Sequence, residues 1–118
     1  MRVISITNVT RDTVIGSEIT VADTSLSRMF GLLGKRGLAA GEGLWICPSS
    51  GVHTFGMMFT IDVIGLDKNM RVVKLWRRLV PFRVTSVSLS IRSVIEVAAG
   101  RIDECQVAVG DLLQVVEP

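Results

Sequence analysis

Residues 61–76 constrain this chain more tightly than any other stretch. Ile61-Asp62-Val63-Ile64-Gly65-Leu66 is an apolar run broken by one acid, and it reads as a strand. Asp67-Lys68-Asn69-Met70 reads as a turn, with Asn69 the candidate for a left-handed position. Met70 or Arg71 starts a return strand through Val72, Val73, Leu75 and Trp76. The chain is therefore anchored on a β-hairpin, and the rest must pack around it.

The flanking sequence continues in the same vein. Met1 to Asn8 alternates apolar and polar residues and reads as a strand. Thr13, Ile15, Ile19 and Val21 share one parity, and Gly16-Ser17 between them suggests a bend or a hairpin turn. Asp23-Thr24-Ser25 can cap a helix whose stripe is Leu26, Met29, Phe30 and Leu33, with Gly34 placed to end it. Leu44 to Cys47, Val84 to Leu89, Val94 to Val97 and Leu112 to Val116 read as short strands. Residues 98–105 suggest a turn and one short helical turn. These signals predict a mainly β fold, α+β at the margin. It is expected to be a compact antiparallel sandwich or barrel with one flanking helix near residues 24–34.

Length and composition bound the rest. A chain of 118 residues suffices for one core, so residues 1–118 are expected to form a single domain. Apolar residues make up 48% and charged residues 20%, enough apolar surface to offset chain entropy. Thirteen basic residues against eleven acidic ones leave a charge of +2, which gives no argument for nucleic acid. No apolar run is long enough to span a membrane, and the first residues lack the continuous apolar core of a signal peptide. The expected location is the cytoplasm, where Cys47 and Cys105 would stay reduced.

Four segments together carry a resemblance. They are Arg28 to Lys35, Gly41-Glu42-Gly43-Leu44-Trp45-Ile46, His53-Thr54-Phe55-Gly56-Met57 through Asp62-Val63, and Ile95-Glu96-Val97-Ala98-Ala99-Gly100 with Gly110-Asp111. Over roughly residues 12–116 the chain resembles the family called domain of unknown function 192, in its histidine-containing variant. The resemblance implies a compact, mostly antiparallel β fold with a flanking helix and no established activity. Members of this type often have Pro-Cys before the His-Thr pair and a proline before Ile-Asp. Here Cys47 precedes Pro48, and Thr60 stands before Ile61.

Several residues are candidates for chemistry, each beside a structural alternative. His53, the only histidine, follows the Ser49-Ser50-Gly51 loop and suits a general base or a ligand contact at the mouth of a cleft. The simpler reading is a ring that bonds a carbonyl and holds the loop. Asp62 points away from Ile61 and Val63, towards the side of Ile64, so its carboxyl must find a partner there or else carry a raised pKa. Arg71, Arg77, Arg78 and Arg83 are the cations within sequence reach, and a hydrogen bond to a loop is the alternative. Cys47, His53, Asp62, Glu42 and Glu96 have no paired metal-ligand spacing, so no metal is expected. The glycines from Gly31 to Gly43 do not form a phosphate loop, and no cofactor is expected. Arg71, Lys74, Arg77, Arg78 and Arg83 interleave with Trp76 and Phe82, as either a guarded strand edge or a partner surface.

These residues point to a non-enzymatic binding module for a polar small molecule, with carbohydrate as one class. His53, Thr54 and Asp62 would line the site, and Trp45 or Trp76 would offer a stacking face. The rivals are a hydrolase using His53 with Asp62, and an interaction module using the Trp76-Arg77-Arg78 edge.

Overall fold

The computed structural model describes residues 2–24, 35–51, 57–85 and 88–117. Seven strands appear in chain order: β1 (Val3–Asn8), β2 (Thr13–Ala22), β3 (Glu42–Ile46), β4 (Ile61–Leu66), β5 (Val72–Leu79), β6 (Ser93–Ala98) and β7 (Leu113–Val116). A short helix, α1 (Arg101–Glu104), lies between β6 and β7. The strands form one sheet in the order β5-β4-β6-β3-β2-β1-β7, curled into a half-barrel. The expected helix near residues 24–34 lies outside the described residues.

Every ladder in the sheet is antiparallel except the β2–β3 pair. The curl brings the two ends of the sheet together. Val72 N–H donates to the Asp111 carbonyl (2.9 Å), and Gly110 N–H donates to the Val72 carbonyl (2.7 Å). Leu113 N–H reaches the Met70 carbonyl at 2.9 Å, so the start of β5 is joined to the approach of β7.

The sheet buries both faces, and the strand period sorts side chains between them. The first face holds Ile19, Val21, Ile64, Leu66, Ile95 and Val97, and is closed by Ile102, Cys105 and Val107 from α1 and the turn after it. The second face holds Ala22, Leu44, Ile46, Met57, Ile61, Val63, Ile91 and Val94. β4 is buried at every position, which explains its nearly unbroken apolar sequence.

Three local expectations change. Gly16 does not open a hairpin; β2 runs through it, and a register shift against β1 falls there. A Cβ at Gly16 would lie 2.7 Å from the Gly41 carbonyl oxygen, so only glycine allows that approach. In the 67–70 turn the left-handed residue is Met70 (φ 65°), not Asn69. Asp67 explains this, because its Oδ1 accepts the N–H groups of both Asn69 and Arg71 and fixes the turn around itself. Finally, residues 88–90 are a turn rather than the end of a strand. Ser88 offers its carbonyl to Ile91 N–H (3.2 Å) and its hydroxyl to Ser90.

Candidate functional site

The sequence candidates separate between the faces of the sheet. Asp62 points to the first face, beside Ile64, as its parity predicts. It is 1% exposed, and its carboxyl group meets backbone donors rather than a guanidinium. Arg78 N–H donates to Oδ1 at 2.9 Å, while Gly100 N–H (3.1 Å) and Ile102 N–H (3.0 Å) donate to Oδ2. Arg78 is thus the partner through its main chain, and its left-handed φ of 52° marks where β5 bends to reach Asp62. One side chain ties β4 to the end of β5 and to the start of α1. That geometry holds the fold together.

Trp45 lies on the same face as Asp62, opposite Ile95 in the β3–β6 ladder. Its Nε1–H is buried and has no acceptor among the described residues. Trp76 lies on the other face, opposite Val63. Its ring sits over Gly65 with Ile91 as neighbour, since a Cβ at Gly65 would meet both at 3.1–3.3 Å. The Lys74 ammonium lies 6.0 Å from the Trp76 ring centroid. Trp45 and Trp76 therefore cannot clamp one small ligand. His53 and Thr54 lie in residues 52–56, outside the described residues.

The second face carries an acid that spacing alone did not single out. Glu96 sits on β6 between Leu44 of β3 and Val63 of β4, and is 3% exposed. No donor or cation pairs with its carboxyl among the described residues. Burial alone pushes its pKa up to about 7 from an ordinary 4.5. Asp62 and Glu96 face opposite sides, which divides the metal-ligand set considered from sequence.

Near Trp76 and Ile91 the surface opens into a groove of about 530 Å³, lined by Pro48, Ser49, Ser50, Leu89, Ile91 and Arg92. Two loops build it; one backbone bond joins them and a second ties one of them to the end of β4. Ser49 N–H donates to the Arg92 carbonyl (2.9 Å), and Arg92 N–H donates to the Leu66 carbonyl (2.8 Å). A smaller hollow of about 240 Å³ continues past Leu89 and Arg92 to Asp67, Lys68 and Asn69. Arg92 is exposed between the two, and no carboxylate pairs with it among the described residues. Leu89 is 92% exposed beside it. Sequence reading missed Arg92, because an isolated arginine before a strand has no local pattern to mark it.

The cysteines are free. Cys47 is half-buried, and Cys105 is buried with its thiol 3.4 Å from the Val14 carbonyl. Burial pushes the Cys105 thiol up, the Arg101 charge lowers it and Glu104 raises it. No helix among the described residues is long and apolar enough to cross a membrane.

Fold and site together define a small, mainly β domain with a curled sheet, a sealed structural acid and an open rim groove. Residues 6–115 match the model of the family DUF192, described as "Uncharacterized ACR", and the chain belongs to that family. It is similar to a Pyrococcus horikoshii protein named UPF0127 protein PH1112, at 31% identity over 102 residues, covering 82% of this chain and 86% of that protein. Two crystal structures share the fold. One is a protein of unknown function from Novosphingobium aromaticivorans (TM-score 0.79, 18% identity, 95% of this chain and 83% of the other). The other is a candidate transcription regulator from Sinorhizobium meliloti (TM-score 0.81, 16% identity, 98% and 96%).

Proposed function

We propose that this protein is a non-enzymatic binding module for a polar, oxygen-rich small molecule, with carbohydrates and sugar acids as the leading class. The groove beside Arg92 carries this reading. Its volume of about 530 Å³ falls in the range of small-molecule sites. Pro48, Leu89 and Ile91 offer apolar contact, while Ser49, Ser50 and the guanidinium of Arg92 offer polar groups. An arginine that forms no ion pair with a carboxylate among the described residues suits a ligand carboxylate or paired hydroxyl oxygens. Ser49 and Ser50 lead directly into the segment that contains His53 and Thr54, which we include as ligand contacts. Trp76 joins through Ile91. Asp62 acts by holding β4, β5 and α1 in place, and Trp45 serves the first face. The cytoplasm is the location that goes with this reading.

A panel of neutral sugars, sugar acids and small metabolites tests it by thermal shift and tryptophan fluorescence. The chain has two tryptophans and no tyrosine, so Trp45→Phe leaves Trp76 as the only reporter near the groove. The expected result is a raised melting temperature with at least one oxygen-rich compound, lost in Arg92→Ala. Flat melting curves across the panel, or a shift that Arg92→Ala leaves intact, would overturn the assignment.

A further inference from the structure

β5 is the edge strand of the sheet, and its outer side is only partly used. At its start, Val72 bonds to Gly110 and Asp111 across the closure. At its end, Arg78 turns its N–H inward to Asp62. Between these two points, from Val73 to Arg77, no backbone hydrogen bond reaches the outer edge from the described residues. Among the described residues the sheet thus leaves a bounded window of strand edge unpaired rather than an open-ended one.

Cations surround the window. Lys74, Arg77 and Arg78 are exposed. Arg77 meets Asp103 at 2.9 Å, but Lys74 and Arg78 have no carboxylate partner among the described residues. Val80 (40% exposed), next in the chain after Leu79, adds an apolar side chain beside the end of the strand. This charge selects among partners. A second copy of the chain pairing edge to edge would set cation against cation, which is how natural edges avoid self-association. An acidic strand meets the same groups with the opposite sign.

We propose that the Val73–Arg77 edge of β5 receives a short, extended, acidic segment of a partner protein as an added strand. Backbone bonds to the window give the affinity, and Lys74 and Arg78 give the preference for alternating acids. The length of the window limits the segment, because Arg78 and the Gly110–Asp111 closure stop the ladder at either end. This inference is independent of the rim groove, and either can fail without the other.

The test uses the full chain and a fluorescent peptide of alternating Glu and Val, blocked at both ends, read by polarisation. Two control peptides replace Glu by Lys or methylate alternate backbone nitrogens. The acidic peptide is expected to bind and to slow amide hydrogen exchange within Val73–Arg77. The Lys peptide and the methylated peptide are expected not to bind. Charge reversal in Lys74→Glu with Arg78→Glu should weaken binding by roughly tenfold or more, and circular dichroism checks that this variant is folded. Binding of the methylated peptide as tight as the parent would overturn strand addition. So would binding without protection of Val73–Arg77. Association with vesicles of anionic lipid, with no binding of the acidic peptide, would overturn it in favour of a membrane surface.

Discussion

Asp62 and Glu96 are both buried acids on neighbouring central strands, and they are handled in opposite ways. Asp62 is wrapped by the N–H groups of Arg78, Gly100 and Ile102. Glu96 lies between Leu44 and Val63 with no donor among the described residues. Equal burial therefore gives different consequences, because donors rather than depth decide what an acid does inside a protein. Asp62 organises the first face by joining β4, β5 and α1. Glu96 brings an acid with no donor among the described residues to the second face, the face that also carries Trp76 and Ile91.

The largest effect is expected at Asp62. Asp62→Ala removes the acceptor of three buried or half-buried backbone donors, and should cost about 3–5 kcal/mol in urea unfolding. Asp62→Asn should recover only part of this, since its amide places an N–H against a backbone N–H. A loss below about 1 kcal/mol for Asp62→Ala would mean that the loops hold without it.

Next comes the pH dependence carried by Glu96. Its pKa is raised in the folded state to about 7, so folding favours the protonated form. Its contribution to stability is full below about pH 4.5 and is lost as pH rises through about 7. The shift corresponds to roughly 3 kcal/mol. Glu96→Gln should flatten this part of the stability curve and leave the variant more stable than the parent at pH 8. A parent curve that is already flat between pH 5 and 8 would show that Glu96 has found a donor.

The smallest effect lies at a third buried acid, which resembles Asp62. Burial pushes Asp111 up, but bonds from the Asn8 amide, the Ala108 N–H and Arg11, with the Arg11 charge, outweigh it and leave its pKa lowered. Stability from this group is present above the ordinary carboxyl range and is lost as pH falls through its lowered value. Asn8→Ala removes the 2.8 Å bond to Asp111 and should cost about 1–2 kcal/mol, with the acid limb of the stability curve moved to higher pH. An unchanged acid limb would assign the shift to Arg11 and Ala108 alone.

Much of the first face was legible from residue order. The period of two correctly sent Asp62 to the side of Ile64, and the Ile61–Leu66 strand has the predicted bounds. What pairs with Asp62 was not legible. Its donors lie 16, 38 and 40 residues away and are backbone groups, which carry no side-chain signature. Local propensity also misjudged the 67–70 turn, where Asp67 bonds override the preference of Asn for a left-handed φ. Val84 to Leu89 looks like a strand by composition, yet residues 88–90 turn on the Ser88 hydroxyl and carbonyl. Spacing could not separate Trp45 from Trp76, because their faces depend on the register of distant ladders. Glu96 was visible only as one acid among several, since its place between Leu44 and Val63 is a property of three strands together.

Carboxyl-carbon NMR of the glutamate side chains, followed as a function of pH, tests the contrast between the two central acids most directly. One resonance, absent in Glu96→Gln, is expected to titrate with a midpoint near pH 7. A Glu96 midpoint near the ordinary 4.5 would contradict this and would mean that a donor reaches its carboxyl.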